Sequence, residues 1–563
     1  MFLRPLAVHR TKHRLFHDLR TYKEDPRWPG WQVIIGIETH AQIKSRRKLF
    51  SDSFTSTPDD TPNTNVSAFD AAFPGTLPKT NSKAVDLALR TSLALRCKIN
   101  ARSSFDRKHY FYSDLTSGYQ ITQQYSPLAR DGELSLHSLD SPITVRIKQI
   151  QLEQDTAKST FDSRGSRSQI DLNRAGTGLM EIVSEPDMRS PEEAGAYVRA
   201  LQSILRAMGS SDGNMEQGSL RCDVNVSVNR KGDPPGTRCE IKNLNSVRFM
   251  MAAISKMSCL QTFSLKLINQ PAHEIKRQKE FLISNPGSSV PQETRGFNED
   301  TFETFRLRSK EDAPDYRYMP DPNLGTLALS QSRIDEIRNN MPPLPWELRS
   351  KILDKYPSLK DKEQSLDVLL NVDNGREVGF DGEDGAGAVE YFERLCQAPK
   401  RDPIVILNWM THELLGQLAA RKQSFYQNSL TSEQLGELVD LLQDKIITGT
   451  SGKYLLRHML DNPSSKSPKE IAAELQLVAI ASSSGTSKAS DAGSSPSSEL
   501  EILCKAAISE LPSEVAAFRA GNKNVLNKIL GHVMKKSRGR ANAKEVRHIV
   551  EKLALGDNHN GDL

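Results

Sequence analysis

The sequence predicts an α+β protein: a large N-terminal domain of antiparallel sheet and helices, then a helical domain, then a small helical tail domain. Three observations carry that prediction. Up to about residue 328, strand-like segments alternate apolar and polar residues with period two, as in a sheet with one covered and one open face. Beyond Gly325 the alternation stops and apolar residues recur at helical spacing. A Ser/Gly-rich stretch, Ser482–Ser498, then sets off a final basic segment. At 563 residues the chain is roughly three to four times the usual domain length, so several cores are expected.

Residues 1–27 read as a leader. Met1–His17 holds Arg4, Arg10, Lys12 and Arg14 with no acid and is mildly amphipathic, the pattern of a mitochondrial transit peptide. Without those four cations, 75 Lys+Arg against 70 Asp+Glu becomes 71 against 70, so the body of the chain is nearly neutral.

The sheet-bearing domain is assigned to residues 28–328. In VIIGIETHAQI (Val33–Ile43), Val33, Ile35 and Ile37 take one face and Glu38, His40 and Gln42 the other. SLRCDVNVSV (Ser219–Val228) sets Leu220, Cys222, Val224, Val226 and Val228 against Arg221, Asp223, Asn225 and Ser227. Between them, SPEEAGAYVRALQSILRAMG predicts a helix capped by Ser190, with Pro191 at its first position, a capping box to Glu193 and a stop at Gly209. Its buried stripe is Tyr197, Leu201, Ile204, Leu205 and Met208.

The helical domain is assigned to 329–481. LTSEQLGELVDLLQDKI has a capping box at Thr431/Gln434, then Leu435, Leu438, Val439 and Leu442 at helical spacing, and the Gly/Asp-rich Val372–Gly387 reads as a surface loop. The linker is 482–498 and the tail domain 499–563. Gly521–Lys552 carries nine Lys/Arg against two Glu, a net +7, which reads as an RNA-contacting face.

Several classes are excluded. No stretch approaches the ~18 apolar residues of a membrane span. Six cysteines (Cys97, Cys222, Cys239, Cys259, Cys396, Cys504) lie far apart with no CxxC pair, which argues against a disulfide scaffold or thiolate zinc cluster and for a reducing compartment. GTSGK (Gly449–Lys453) lacks the first glycine of a phosphate loop and has no strand before it, so it reads as a helix terminus. No GxSxG, HExxH or GxGxxG occurs.

What stands out is carboxylates in unusual places. Glu38 and His40, two apart on a strand, project together and can share a divalent metal, or simply form a solvent face. Glu181 lies within LMEIV, where a strand buries it or aims it into a cavity; a buried carboxylate needs an ion partner or a metal. QLEQDTAK adds Glu153, Gln154 and Asp155.

These segments carry a resemblance. Val33–Leu324 resembles the B subunits of the glutamyl/aspartyl-tRNA amidotransferases, the GatB family, through GIETHAQIKSRRKLF, AFPGTLPKTNSKAVDLAL, FDRKHYFYSDLTSGYQITQQYSPL, DLNRAGTGLMEIVSEPDMRSPEEA, MEQGSLRCDVNVSV, GTRCEIKNLNSVRFM, QETRGF and SKEDAPDYRYMPDPNL, in order and at matching spacing. GNKNVLNKILGHVMKKSRGRANAKEV is similar to the family's YqeY-like tail domain. The resemblance implies ATP- and Mg²⁺-dependent phosphorylation of the Glu side chain on misacylated tRNA(Gln). Ammonia from a partner, the amidase (A) subunit, then yields Gln-tRNA(Gln). A mitochondrial matrix location and a small accessory subunit are implied too. The chain has no nucleophile arrangement for glutamine hydrolysis, which fits ammonia arriving from a partner.

The metal ligands implied are Glu38, His40, Glu153 or Gln154, and Glu181. The family's usual second Glu is Gln154 here. The phase of the strand groups Glu153 with Gln149 and Gln151, opposite Ile150 and Leu152, and ranks Glu153 first; Asp155 is the other substitute. Many relatives carry four zinc-binding cysteines where this chain has Ser51, Ser53, Ser67 and Asp70, so no structural zinc is expected. Lys108 is expected near the catalytic pocket or the ammonia path. Arg221, Asp223, Asn225, Glu240, Lys242 and Asn243 are candidates to hold ATP or the aminoacyl end of tRNA, or else form a hydrogen-bonded sheet face. The alternative to a catalytic role is that of a non-catalytic tRNA-binding and assembly component with a decayed kinase site. Gln154 favours it; Glu38, His40 and Glu181 oppose it.

Overall fold

The computed structural model describes residues 25–254, 274–479 and 497–555, apart from 138, 140, 163, 300, 302, 310–315, 376–377, 383–386, 520–521, 523–524 and 538. The expected leader, as far as residue 24, and the expected linker, as far as residue 496, lie outside the described residues. Two compact units form: one takes in residues up to Met341 except Arg206–Gly209, the other takes in Arg206–Gly209 and Pro342 onward.

The first unit is built on a nine-stranded sheet. In chain order its strands are β1 (Trp31–Gln42), β2 (Lys98–Ile99), β3 (Ala129–Leu136), β4 (Ile143–Gln154), β5 (Gly178–Ser184), β6 (Leu220–Arg230), β7 (Cys239–Leu244), β8 (Glu293–Asn298) and β9 (Glu303–Ser309). Their spatial order is β9-β8-β7-β6-β1-β5-β4-β3-β2. Every pairing is antiparallel except β7 with β8. The α+β expectation therefore holds, with one parallel pair that alternation alone did not signal.

The period-two reading fixes the two faces. Val33, Ile35, Ile37 and Ala41 are buried on one side of β1, together with Cys222, Val224, Val226 and Val228 of β6 and Ile150 and Leu152 of β4. Helices α1 (Ser82–Ala94) and α2 (Pro191–Ala207) bury their apolar stripes, with Tyr197, Leu201, Ile204, Leu205 and the following Met208 all fully buried. Ser190 Oγ accepts the Glu193 N–H, as a cap should, but Glu193 reaches back to the Arg189 N–H. Gly209 adopts φ +64° just past the helix, a left-handed stop that favours glycine. A small sheet of Asp106–His109, Tyr119–Thr122 and Met319–Pro320 accompanies the main one.

The described residues of the second unit are helical and hold two apolar clusters. One runs from Ile352 to Leu477, the other from Leu500 to Ala554. The Thr431/Gln434 capping box forms as expected. GTSGK opens the helix Gly449–Asp461, capped by Thr448, and is no phosphate loop. Val372–Asn374, expected in a surface loop, instead complete the helix Glu363–Asn374, which ends at Gly375. The acid-and-glycine composition dominated the reading there, while Leu366, Leu369 and Leu370 bury the helix face.

Candidate functional site

Five adjacent strands aim polar side chains from the open face of the sheet. Glu38 and His40 project together because they are two apart on β1. The antiparallel register sets His40 opposite Glu181 on β5, and Glu181 opposite Gln151 on β4. On the other flank, His40 faces Arg221 and Glu38 faces Asp223 on β6, while Asn225 faces Glu240 on β7. A row of polar residues thus crosses β4, β5, β1, β6 and β7 above a continuous apolar layer.

His40 is the hub. Its Nε2 lies 3.3 Å from Glu38 Oε1 and its Nδ1 3.9 Å from Glu153 Oε1. Ligand atoms of His40, Glu153 and Glu181 lie within 4.8 Å of one another, as do those of Glu38, His40 and Asp223. Burial alone would lower the His40 pKa. Glu38, Glu181 and Glu153 outweigh it and raise the imidazole to about 9. Burial likewise works against ionised Glu38, but the His40 contact holds that carboxyl down at about 2. Glu181 goes the other way: burial, then repulsion from Glu153, pushes it up to about 8.

The small sheet closes the cluster. Lys108 Nζ lies 4.0 Å from Glu153 Oε2 and 5.1 Å above the Tyr316 ring, and Glu153 holds its pKa above the ordinary value against the pull of burial. Gln120 Nε2 donates to Glu153 Oε1 at 2.8 Å, and Gln120 Oε1 accepts from the Tyr110 hydroxyl at 2.8 Å. Gln151 Nε2 donates to Glu181 Oε2. Gln120, Gln151, Tyr316 and Tyr318 escaped the sequence reading. Gln151 was legible in principle, since it shares the β4 phase with Glu153; Gln120 and the tyrosines come from distant segments joined only by tertiary pairing.

Of the three β4 alternatives, the structure brings Glu153 to the cluster. Asp155 is instead held by Arg221 at 3.0 Å and Arg174 at 3.7 Å. The Gln154 carbonyl accepts from Gln120, while its side-chain Oε1 is buried without a hydrogen-bond partner. Lys242 Nζ bridges Asp223 at 2.5 Å and Glu240 at 3.1 Å. Asp223, Asn225, Glu240 and Lys242 therefore lie on the open face as expected, but Arg221 is engaged by Asp155. The Asn243 side chain lies outside the described residues. At Ser51, Ser67 and Asp70 the chain forms a different cross-link: both the Ser51 hydroxyl and the Ser67 N–H donate to Asp70 Oδ2 at 3.0 Å, beside a fully buried Lys48.

A cavity of about 750 Å³ opens over the row, lined by Glu38, Lys108, Glu181, Asn225, Glu240 and Lys242 among others. That volume suits a nucleotide-sized ligand. The donor set suits a hard divalent cation: converging carboxylates with one imidazole, and a buried Glu153 Oε2 that no hydrogen bond satisfies. No helix among the described residues is long and apolar enough to cross a membrane.

Comparison with known proteins agrees with this architecture. Residues 33–335 match the GatB/GatE catalytic domain and residues 390–553 the GatB domain. The chain is 63% identical to the mitochondrial glutamyl-tRNA(Gln) amidotransferase B subunit of Laccaria bicolor, over 96% of both chains. It is 45% identical to the Mycosarcoma maydis protein of the same name, over 93% of this chain and 86% of the relative. It is 40% identical to the aspartyl/glutamyl-tRNA(Asn/Gln) amidotransferase B subunit of Rickettsia bellii, over 93% of this chain and 98% of the relative. The chain belongs to the family of amidotransferase B subunits that carry the GatB/GatE catalytic domain.

Proposed function

We propose that the chain is the B subunit of a mitochondrial glutamyl-tRNA(Gln) amidotransferase and that its sheet face activates the glutamyl side chain with ATP. The side-chain carboxylate of Glu on tRNA(Gln) attacks the γ-phosphorus of ATP and ADP leaves. Ammonia then attacks the acyl carbon, and phosphate departs to leave Gln-tRNA(Gln). A carboxylate is a poor acyl donor and its acyl phosphate a good one, so the ATP step is what makes amide formation possible.

The convergence of His40, Glu153 and Glu181, with Glu38 meeting the same His40 from the other side, beside a nucleotide-sized cavity carries the reading. These four residues would hold Mg²⁺. When bound, Mg²⁺ neutralises triphosphate charge and polarises the γ-phosphoryl group. Gln120 and Gln151 fix the orientation of Glu153 and Glu181, as outer hydrogen bonds do at metal sites. Lys108, cationic at neutral pH and facing the cavity, draws the incoming carboxylate towards the cluster. Asn225, Glu240 and Lys242 form the wall against the nucleotide, with Asp223 holding Lys242. With Glu153 in the cluster, Gln154 no longer speaks for a decayed site. Ammonia would come from the amidase (A) subunit of the same complex, which a small accessory subunit completes.

The test is conversion of Glu-tRNA(Gln) by the purified complex. Amide product should require ATP and glutamine, and glutaminase activity should be absent from this polypeptide alone. Product formed without ATP would refute the reading.

A further inference from the structure

Matching the cations that line the cavity to carboxylates leaves three cations over, and one carboxylate of the lining, Glu185, is likewise in no ion pair among the described residues. Lys108 answers Glu153, and Lys242 answers Asp223 and Glu240. Arg221, on the same face, answers Asp155. Lys148, Arg238 and Arg308 line the same cavity, and no carboxylate among the described residues pairs with any of them.

Local backbone devices place each one there. Lys148 sits at a bulge of β4: Gln149 and Ile147 pair with the consecutive residues Val183 and Ser184 of β5, so Lys148 is the extra residue there, while towards β3 the register runs on unshifted from Arg130/Gln149 to Gly132/Ile147. In unbroken alternation Lys148 would share the core phase of Ile150 and Leu152; the bulge frees it to reach the cavity. Arg308 stands opposite Thr294 across β8 and β9, and the Thr294 hydroxyl donates to Glu240 Oε2 at 3.1 Å, so Arg308 shares the face of Glu240. Arg238 follows Gly236, where a Cβ would come within 2.2 Å of the Val228 carbonyl oxygen; only glycine lets Pro235–Arg238 run this close to β6 and along the cavity wall.

We propose that Lys148, Arg238 and Arg308 form the seat of the nucleotide's phosphate chain, with Arg221 and Lys242 serving instead to hold the wall in place. Resting on the reading of the cavity as the ATP site, this divides the labour by charge. The carboxylate cluster takes the cation that travels with ATP, and the three unpaired cations take phosphate oxygens directly. Arginine suits this role because its planar fork binds phosphate through two parallel hydrogen bonds.

Nucleotide affinity measured on the assembled complex tests the assignment, using ATP, ADP and AMP with Mg²⁺. Arg238→Gln and Arg308→Gln should each weaken ATP and ADP binding about tenfold to a hundredfold, as expected for a lost charge-assisted contact, and change AMP binding far less. Arg238→Lys and Arg308→Lys should recover part of the loss, which a folding defect would not allow. Affinity for Glu-tRNA(Gln) should be unchanged. Equal ATP affinity in the Gln variants and the unaltered complex would overturn the assignment while leaving the ATP reading intact. A selective loss of tRNA affinity would give these cations to RNA phosphates and overturn it too. Absence of ATP binding by the unaltered complex would overturn the functional reading itself, and this inference with it.

Discussion

Replacing Lys48 with methionine should locally destabilise the segment that follows β1. Lys48 is fully buried, and its Nζ contacts Asp70 Oδ2 at 3.2 Å, the Asn65 carbonyl at 2.7 Å and the Leu172 carbonyl at 3.4 Å. At an effective dielectric of about 20, unit charges at that separation attract by about 5 kcal/mol. Burial lowers the pKa of Lys48 in spite of Asp70, so desolvation offsets much of that attraction. The pair is therefore close to neutral as a whole, but either charge alone is costly. Lys48→Met leaves the buried Asp70 carboxylate without its cation, held only by the Ser51 hydroxyl and the Ser67 N–H, at about 3–5 kcal/mol. The assay is amide hydrogen exchange across residues 45–72 in the full chain, which reports local opening free energy without requiring a two-state transition of the whole chain. Exchange should accelerate by about two to three and a half powers of ten, at about 1.4 kcal/mol per decade. Lys48→Met with Asp70→Asn should cost at least about 2 kcal/mol less than the two single changes summed. A Lys48→Met cost below about 1 kcal/mol, or additivity within about 0.5 kcal/mol, would refute the reasoning.

Glu181→Gln should abolish ATP-dependent phosphoryl transfer while tRNA affinity survives; normal ATP hydrolysis with Glu-tRNA(Gln) in that variant would remove Glu181 from the site. Gln120→Leu should weaken Mg²⁺ affinity about 10- to 100-fold, measured by titration, since it releases Glu153 without removing it. Glu274 is fully buried; burial pushes its pKa up, but bonds from Arg277 and Gln278, with Arg295 nearby, hold it below the ordinary value. Its stabilisation is thus present above the unfolded pKa of about 4.3 and lost as pH falls through the lower folded value. Urea midpoints of Glu274→Gln, about 2 kcal/mol weaker at pH 7, should converge on the unaltered protein in acid. Deleting Glu499–Leu563 should raise KM for tRNA and flatten the salt dependence of binding, with turnover kept at saturating tRNA, because the lost contacts are to phosphates; an unchanged salt slope would assign the basic face to solvent.

The site was legible where strand periodicity reports it and hidden where long-range pairing does. Glu38 and His40 on one face of β1, Glu181 in an apolar strand and the preference for Glu153 all follow from alternation. Asp155 could not be excluded that way, because its partners Arg221 and Arg174 are 66 and 19 residues away in the chain and only the fold unites them. Composition misled at Val372–Asn374, where three polar or acidic-flanked residues end a helix whose burial is set by Leu366, Leu369 and Leu370. Lys148 was hidden for another reason: it shares the core phase of Ile150 and Leu152 but the open phase of Thr144 and Arg146, and the bulge that reconciles them shows in the sequence only as the switch from Val145 and Ile147 to Ile150 and Leu152.

The electrostatic layout of the sheet face then explains why no phosphate loop is needed. A phosphate loop binds a polyanion with backbone N–H groups at a helix N-terminus. An antiparallel sheet has only small net dipoles, so charge must come from side chains. Here the centre of the row is acidic, with Glu38, Glu153 and Glu181 around a single His40, and its flanks are cationic, with Lys148, Arg238 and Arg308 on the cavity lining. An acidic centre by itself would repel a triphosphate; with a divalent cation it becomes the anchor, and the cationic flanks receive the remaining oxygens. The raised pKa values of His40 and Glu181 belong to that arrangement: burial first and then Glu153 lift Glu181, and the surrounding carboxylates lift His40 against the pull of burial. Adding Mg²⁺ should therefore release protons near neutral pH, largely from these two groups. Proton release measured on mixing the complex with Mg²⁺ should reach a substantial fraction of an equivalent at pH 7 and fall sharply in Glu181→Gln; a release that is the same in both would place the cation elsewhere.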